Sequence, residues 1–150
     1  MKSLLIIGLL LAAVGCKSSL STTSDKQGVT GAVYWMEGDF MPRIGEKPGG
    51  SRQPIVREIL FYGPVNASSL GTENGPIYKR LPIEPISRVS SNENGTFRIY
   101  LPVGTYSVFT KEPDGFFANR FDGNGIINPV EVKAGAFSEI VIEINYKAVF

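Results

Sequence analysis

The chain has 150 residues, with 15 Lys and Arg against 14 Asp and Glu, no histidine and one cysteine. That length suits a single domain, typically about 100–150 residues, and the charge balance offers neither the basic excess of a nucleic-acid binder nor an acidic tail. Without histidine there is no Ser–His–acid triad and none of the commonest zinc and copper ligand, and a lone cysteine allows neither an internal disulfide nor a Cys-rich metal site.

The first element is "MKSLLIIGLLLAAVGC". One lysine, an apolar run from Leu4 to Val14 and the small Gly15 before Cys16 predict a secretory signal over residues 1–15. The run falls short of the roughly 20 apolar residues that a membrane-spanning helix needs. "AAVGC" resembles the lipobox of bacterial lipoproteins, whose cysteine becomes the acylated first residue, although Ala13 stands where that motif most often has leucine. An ordinary signal peptide that happens to contain a cysteine is the competing reading. On the lipoprotein reading Cys16 carries the lipid, each buried CH₂ contributes about 0.8 kcal/mol of membrane attachment, and the protein sits in the bacterial cell envelope, at the outer membrane. Cleavage removes Lys2 and no acidic residue, so the mature chain is neutral and the lipid has to supply the attachment. Residues 16–27, with "KSSLSTTSDKQ" after the cysteine, read as a flexible tether.

Residues 28–150 form the body, and no amphipathic helix of useful length occurs in it. Short runs of period two, separated by Gly, Pro and Asn, predict strands instead. "GVTGAVYWM" (Gly28 to Met36) is the first, and "PIVREILFY" (Pro54 to Tyr62) the second, with aliphatic residues on both faces as a central strand needs. A weaker strand or pair lies between Ile77 and Ser90, where Pro82 and Pro85 point to a sheet edge. "TFRIYLP" sets Phe97, Ile99 and Leu101 on one face, "TYSVFTK" sets Tyr106 and Val108 on one face, and "PVG" joins the two. Asn94-Gly95 upstream is a turn signal, since both residues tolerate positive φ. "PVEVKAG" and "SEIVIEINYKA" close the series, the last with Ile140, Ile142, Ile144 and Tyr146 on its apolar face. About seven strands with frequent turns predict a two-sheet sandwich.

These residues resemble a known family. "GVTGAVYW", "PIVREILFY", "SNENGTFRIYLPVGTYSVFTKEPDGF" and "PVEVKAGAFSEIVIEINY" look like a carboxypeptidase regulatory-like domain, a transthyretin-like (prealbumin-like) sandwich. The matched elements are Gly31, the turn Asn94-Gly95-Thr96-Phe97, the corner Leu101-Pro102-x-Gly104-x-Tyr106, and Asp114-Gly115-Phe116, within Gly28 to about Tyr146. The resemblance implies an all-β, seven-stranded Greek-key fold that acts as an accessory module, with no catalytic centre and no cofactor. Two insertions depart from it: "EGDFMPRIGEKPGGSRQ" after the first strand, and "FANRFDGNGIIN" after Asp-Gly-Phe. A lipobox followed by one such domain resembles lipoproteins of Bacteroidetes-type bacteria.

The insertions hold the candidate chemistry. A calcium loop counted from Asp122 has Asn124 at its third position, but Ile126, Ile127 and Lys133 at the fifth, sixth and twelfth, so the EF-hand pattern fails after two ligands. A looser site built on Asp122, Asn124 and a distant carboxylate such as Asp39 stands against a plain Asx turn, which accounts for Asp-Gly-Asn-Gly by itself. Glu37, Asp39, Asp114 and Asp122 are the loop carboxylates that glycoside hydrolysis would have to pair, at about 5–5.5 or 6.5–9.5 Å. A first-strand lysine bonded to Asn145, as in collagen-adhesin sandwiches, is excluded because "GVTGAVYW" has no lysine. Asn66-Ala67-Ser68 and Asn94-Gly95-Thr96 match a glycosylation pattern that a bacterial lipoprotein does not ordinarily use. What remains is binding, through Trp35, Glu37, Asp39 and Phe40 in the first insertion region and Phe116, Phe117, Phe121, Asp122 and Asn124 in the second. Their large apolar side chains either plug the open end of the sandwich or form a recognition patch. The expected role is a non-catalytic protein-interaction or scaffolding module with an envelope partner, and the alternative is a glycan-binding surface module. If successive strands alternate direction, both insertions fall at one end.

Overall fold

Residues 26–45, 49–70 and 76–150 are described by a computed structural model; the expected signal segment over 1–15, Cys16 and nearly all of the expected tether lie outside them. Among these residues ten strands form two facing sheets, and no helix is long and apolar enough to cross a membrane.

The first sheet is built on β1 (Gly28–Asp39). β10 (Phe137–Val149) runs parallel along one side of it, from the pair Gly28–Phe137 to the pair Asp39–Val149. Two antiparallel strands share the other side: β6 (Thr96–Tyr100) along the lower half and β2 (Ser51–Pro54) along the upper. Gly31 is required where β1 is squeezed between neighbours. A Cβ there would lie 2.2 Å from the Ile140 carbonyl oxygen and 3.0 Å from the Phe97 ring. The second sheet has the order β4 (Ile77–Tyr78), β8 (Gly115–Phe117), β7 (Gly104–Glu112), β3 (Glu58–Tyr62), β5 (Ser87–Ser90). β9 (Pro129–Val132) continues below β8 on the same edge of β7.

Between the sheets lie Val29 and Val33 of β1, Ile59 and Phe61 of β3, Phe97 and Ile99 of β6, Val108 of β7 and Ile142 and Ile144 of β10. The apolar residues on both faces of β3 have a structural cause. Leu60 and Tyr62 point the other way, into a second cluster with Phe109, Tyr78, Val65 and Ile127, so the second sheet is covered on both sides. Burying side chains on each face removes two sets of apolar area from water, at about 25 cal/mol per Å². Two turns hold the frame. Tyr106 donates its hydroxyl proton to the Pro102 carbonyl at 2.8 Å, fixing the β6–β7 corner. At the β5–β6 turn Gly95 has φ +75°, and a Cβ would sit 2.4 Å from the Val33 carbonyl oxygen, where the Gly95 carbonyl itself accepts from the Val33 N–H.

Three sequence expectations need correction. The stretch from Pro54 to Tyr62 is not one strand: β2 ends at Pro54, Ile55–Arg57 crosses between sheets, and β3 begins at Glu58. Ser91 stabilises the crossing, its hydroxyl accepting from the Arg57 N–H and donating to the Ile55 carbonyl, both at 2.8 Å. Seven strands become ten because the first insertion supplies β2, the Ile77–Ser90 region supplies both β4 and β5, and β8 prolongs the β7 hairpin. The two insertions also do not share an end. β8 and β9 are two halves of one edge, and Ala118–Asn128 is an excursion from its middle, on the flank of the sandwich.

Candidate functional site

Past the level where Tyr146 meets Glu112, the last residue of β7, β1 and β10 continue as a ribbon carrying the first insertion. The Phe40 N–H donates to the Val149 carbonyl at 2.8 Å, and the Phe40 ring stacks on Phe150 at 5.3 Å and 18°. Gly50 lies directly against the Phe40 ring, where a Cβ would come within 2.4 Å. Around the half-buried Phe40 the tip exposes apolar side chains: Met41 is 47% exposed, Val149 55% and Phe150 65%. Charges rim it. Asp39 accepts from the Met41 N–H at 2.8 Å and pairs with Arg43, and those two bonds, the backbone one first, hold its carboxyl below the usual range. Lower down, at the level of Tyr34, Arg52 bridges to Glu143 at 2.9 Å and stacks on the Tyr34 ring.

Beneath the tip is a polar network. Trp35 meets Tyr146 edge-on at 5.2 Å and donates its indole N–H to Glu37 Oε2 at 2.9 Å. The Arg57 guanidinium stands 5.8 Å from the Trp35 ring centre and donates Nε–H to Glu112 Oε1 at 3.1 Å. Glu112 also accepts from the Thr110 hydroxyl at 3.2 Å and, on Oε2, from the Tyr146 hydroxyl at 3.0 Å. Its side chain is 0% exposed, against 26% for Arg57. A carboxylate removed this far from water needs such partners, since an unpaired buried charge is strongly unfavourable. The network joins the start of β3, the end of β7 and β10, so it locks the two sheets together below the tip.

The same network sets the alkaline behaviour. Burial, and next the hydrogen bond donated to Glu112, push the Tyr146 phenol up to about 12. Because the folded state keeps this proton above the unfolded pKa of about 10, the associated stability is complete below pH ~10 and is lost as pH rises from about 10 to about 12. A difference titration of wild type against Tyr146→Phe, followed by phenolate absorbance, should isolate a step near pH 12. Glu112→Gln should move that step down toward ~10; a step that stays in place would remove Glu112 as a cause.

On the flank, the three phenylalanines of the second insertion part company. Phe117 is 1% exposed in the inter-sheet core, while Phe116 packs on the outer cluster with Tyr62 edge-on and Lys111 over its ring. Phe121 is 54% exposed, beside a cleft of about 230 Å³ that it shares with Asp122, Val130 and Ile140–Ile142. Asp122 acts as an Asx-turn residue: its Oδ1 accepts from the Asn124 and Ile126 N–H groups at 2.9 and 2.8 Å. Asn124 lends its carbonyl to the Asn66 side chain, tying the turn to the Val65–Ala67 segment. Among the described residues no group of three or more acidic, Cys or His side chains is placed to hold a metal.

The structure therefore places Asp39 and Phe40 at the tip, Trp35 and Glu37 in the network beneath it, and Phe121, Asp122 and Asn124 together on the flank, apart from both. Sequence reasoning missed Arg57, Glu112 and Tyr146 as partners. The available signal was weak: each charge stands beside one of opposite sign, as Arg57-Glu58 and Lys111-Glu112, at one end of an otherwise mostly uncharged strand run. Neither a family model, a curated protein nor a solved structure matches the chain.

Proposed function

We propose that the chain is a lipid-anchored cell-envelope protein whose sandwich, of the transthyretin-like Greek-key type, serves as a non-catalytic protein-interaction module that docks through its tip. The observation that carries this reading is the exposed apolar cluster of Met41, Val149 and Phe150 around the stacked Phe40, rimmed by charge, as an interface core is. Attachment rests on the "AAVGC" lipobox and Cys16, and the fold type on the matched turn and corner residues. Glycan recognition is less well supported, because Tyr62 is buried and Trp35 is engaged by Tyr146 and Glu37 rather than lying open beside Asp and Asn. Catalysis lacks a paired arrangement: Asp39 is bound by Arg43, Asp122 serves a turn, and Glu37 holds the indole.

A photo-crosslinking residue at Met41, in cells bearing the full chain, should trap one discrete protein, and Val149→Asp should cut the adduct by about tenfold or more. Cys16→Ala should abolish incorporation of a palmitate analogue without changing the fold. Diffuse or absent adducts, together with a glycan-array signal that Val149→Asp abolishes, would transfer the reading to a carbohydrate ligand. Unchanged lipid labelling of Cys16→Ala would remove the anchor.

A further inference from the structure

The two flanks of the sandwich are finished differently. On the β9–β10 flank, Asn119 donates to the Glu143 carbonyl at 3.4 Å and to Asn145 Oδ1 at 2.9 Å, and the Ser138 hydroxyl donates to the Glu131 carbonyl. Side chains there satisfy or cross the edge of β10. On the opposite flank β5 and β6 diverge below the turn that joins them. Among the described residues each has one strand neighbour, β3 for β5 and β1 for β6. Their outer edges face an open groove of about 500 Å³.

The ladder phase shows what those edges present. The Gly95 carbonyl accepts from Val33, and the Leu101 N–H donates to Gln27, so odd-numbered residues of β6 face β1. By antiparallel alternation, the N–H and C=O groups of Arg98 and Tyr100 point outward. Those of Thr96 are already taken by Asn92. On β5 the Ser91 N–H donates to Arg57, which leaves Arg88 and Ser90 facing out. Among the described residues the groove thus presents backbone donors and acceptors without a ladder partner at Ser90 on one wall and Arg98 on the other, a partly apolar lining from Val89 and Phe97, and hydroxyls from Ser90 and Thr96. Its one charged lining residue is Arg98, whose guanidinium lies 4.4 Å from the Phe137 ring centre and forms no ion pair among the described residues.

We propose that this groove binds an extended, acidic segment of another protein by strand addition, the segment's backbone pairing with Arg98 and Tyr100 of β6 and a carboxylate meeting the Arg98 guanidinium. Charge argues for a partner over the chain's own preceding segment, since residues 17–27 carry Lys17 and Lys26 against Asp25 alone. This second surface is independent of the tip.

The test uses the full chain in detergent and two labelled octapeptides, one alternating Glu and Val and one alternating Lys and Val, followed by fluorescence anisotropy. The acidic peptide should bind at least about tenfold more tightly than the basic one, and Arg98→Glu should erase or invert that preference. An acidic peptide N-methylated on alternate residues, unable to complete a ladder, should lose binding by about tenfold or more. Hydrogen exchange should slow at the Arg98 and Tyr100 amides in the complex. Equal affinity for both octapeptides, tight binding of the N-methylated peptide, protection at Phe40 and Met41 instead, or binding of a neutral glucan in place of peptide would overturn the proposal.

Discussion

Arg57→Met is expected to lower the unfolding free energy by about 3 kcal/mol, the lower end of the range for removing one partner of a buried ion pair. The Glu112 carboxylate is wholly inaccessible, whereas Arg57 keeps 26% of its side chain exposed, so the loss falls on the acid. Glu112 would retain two hydroxyl donors, Thr110 and Tyr146, which is why the upper end of the range is not reached. Urea titration should show a lower midpoint with an unchanged slope. The double variant Arg57→Met/Glu112→Gln separates two causes. The amide still offers an oxygen to one hydroxyl but carries no charge, so recovery of more than about half the deficit is expected if the stranded carboxylate is responsible. A double variant no more stable than the single one would place the loss in the other contacts of the Arg57 guanidinium, with the Trp35 ring and the Val56 carbonyl.

That network was not legible in the sequence, although much of its scaffold was. Alternation in "TFRIYLP" marked β6 because Arg98 and Tyr100 face water opposite Phe97 and Ile99, whereas in β7 both faces are buried, with Ser107 and Phe109 covered as fully as Val108. The apolar residues on both faces of β3 correctly signalled a strand covered twice, but not what covers its outer face. The covering residues, Val65, Ala67, Leu70, Tyr78 and Leu81 among them, follow no strong period of their own. Asn94-Gly95 was readable because φ +75° is a local requirement.

Other features depend on register, which no single strand encodes. Arg57 and Glu112 meet because β3 pairs with β7 from Ile59–Thr110 to Tyr62–Ser107, and Tyr146 joins them only when β10 lies parallel to β1. The expected first strand stopped at Met36, yet β1 runs on to Asp39 through an irregularity between Trp35 and Glu37, because β10 continues beside it. The sheet crossing at Ile55–Arg57 has a similar origin. Its support is Ser91, a residue on the far side of β5.

The second insertion offers the other large expected effect, as a graded series across three phenylalanines that are nearly contiguous in sequence. Phe117→Ala should cost about 3–5 kcal/mol, since a fully buried ring between the sheets leaves a cavity that Tyr146, 5.8 Å away, cannot fill. Phe116→Ala should cost about 1–2 kcal/mol, because its ring is only partly covered and its losses are the edge contact with Tyr62 and the Lys111 ammonium at 4.2 Å. Phe121→Ala should change stability by no more than about 0.5 kcal/mol, as for other exposed positions. Denaturant unfolding of the three variants measures this directly. Three equal losses would mean that Ala118–Asn128 packs as one body and that Phe121 is covered in solution. The graded result would instead divide one aromatic run between core, outer cluster and solvent, with the Asp122 turn holding its shape through backbone bonds that none of the three rings supplies.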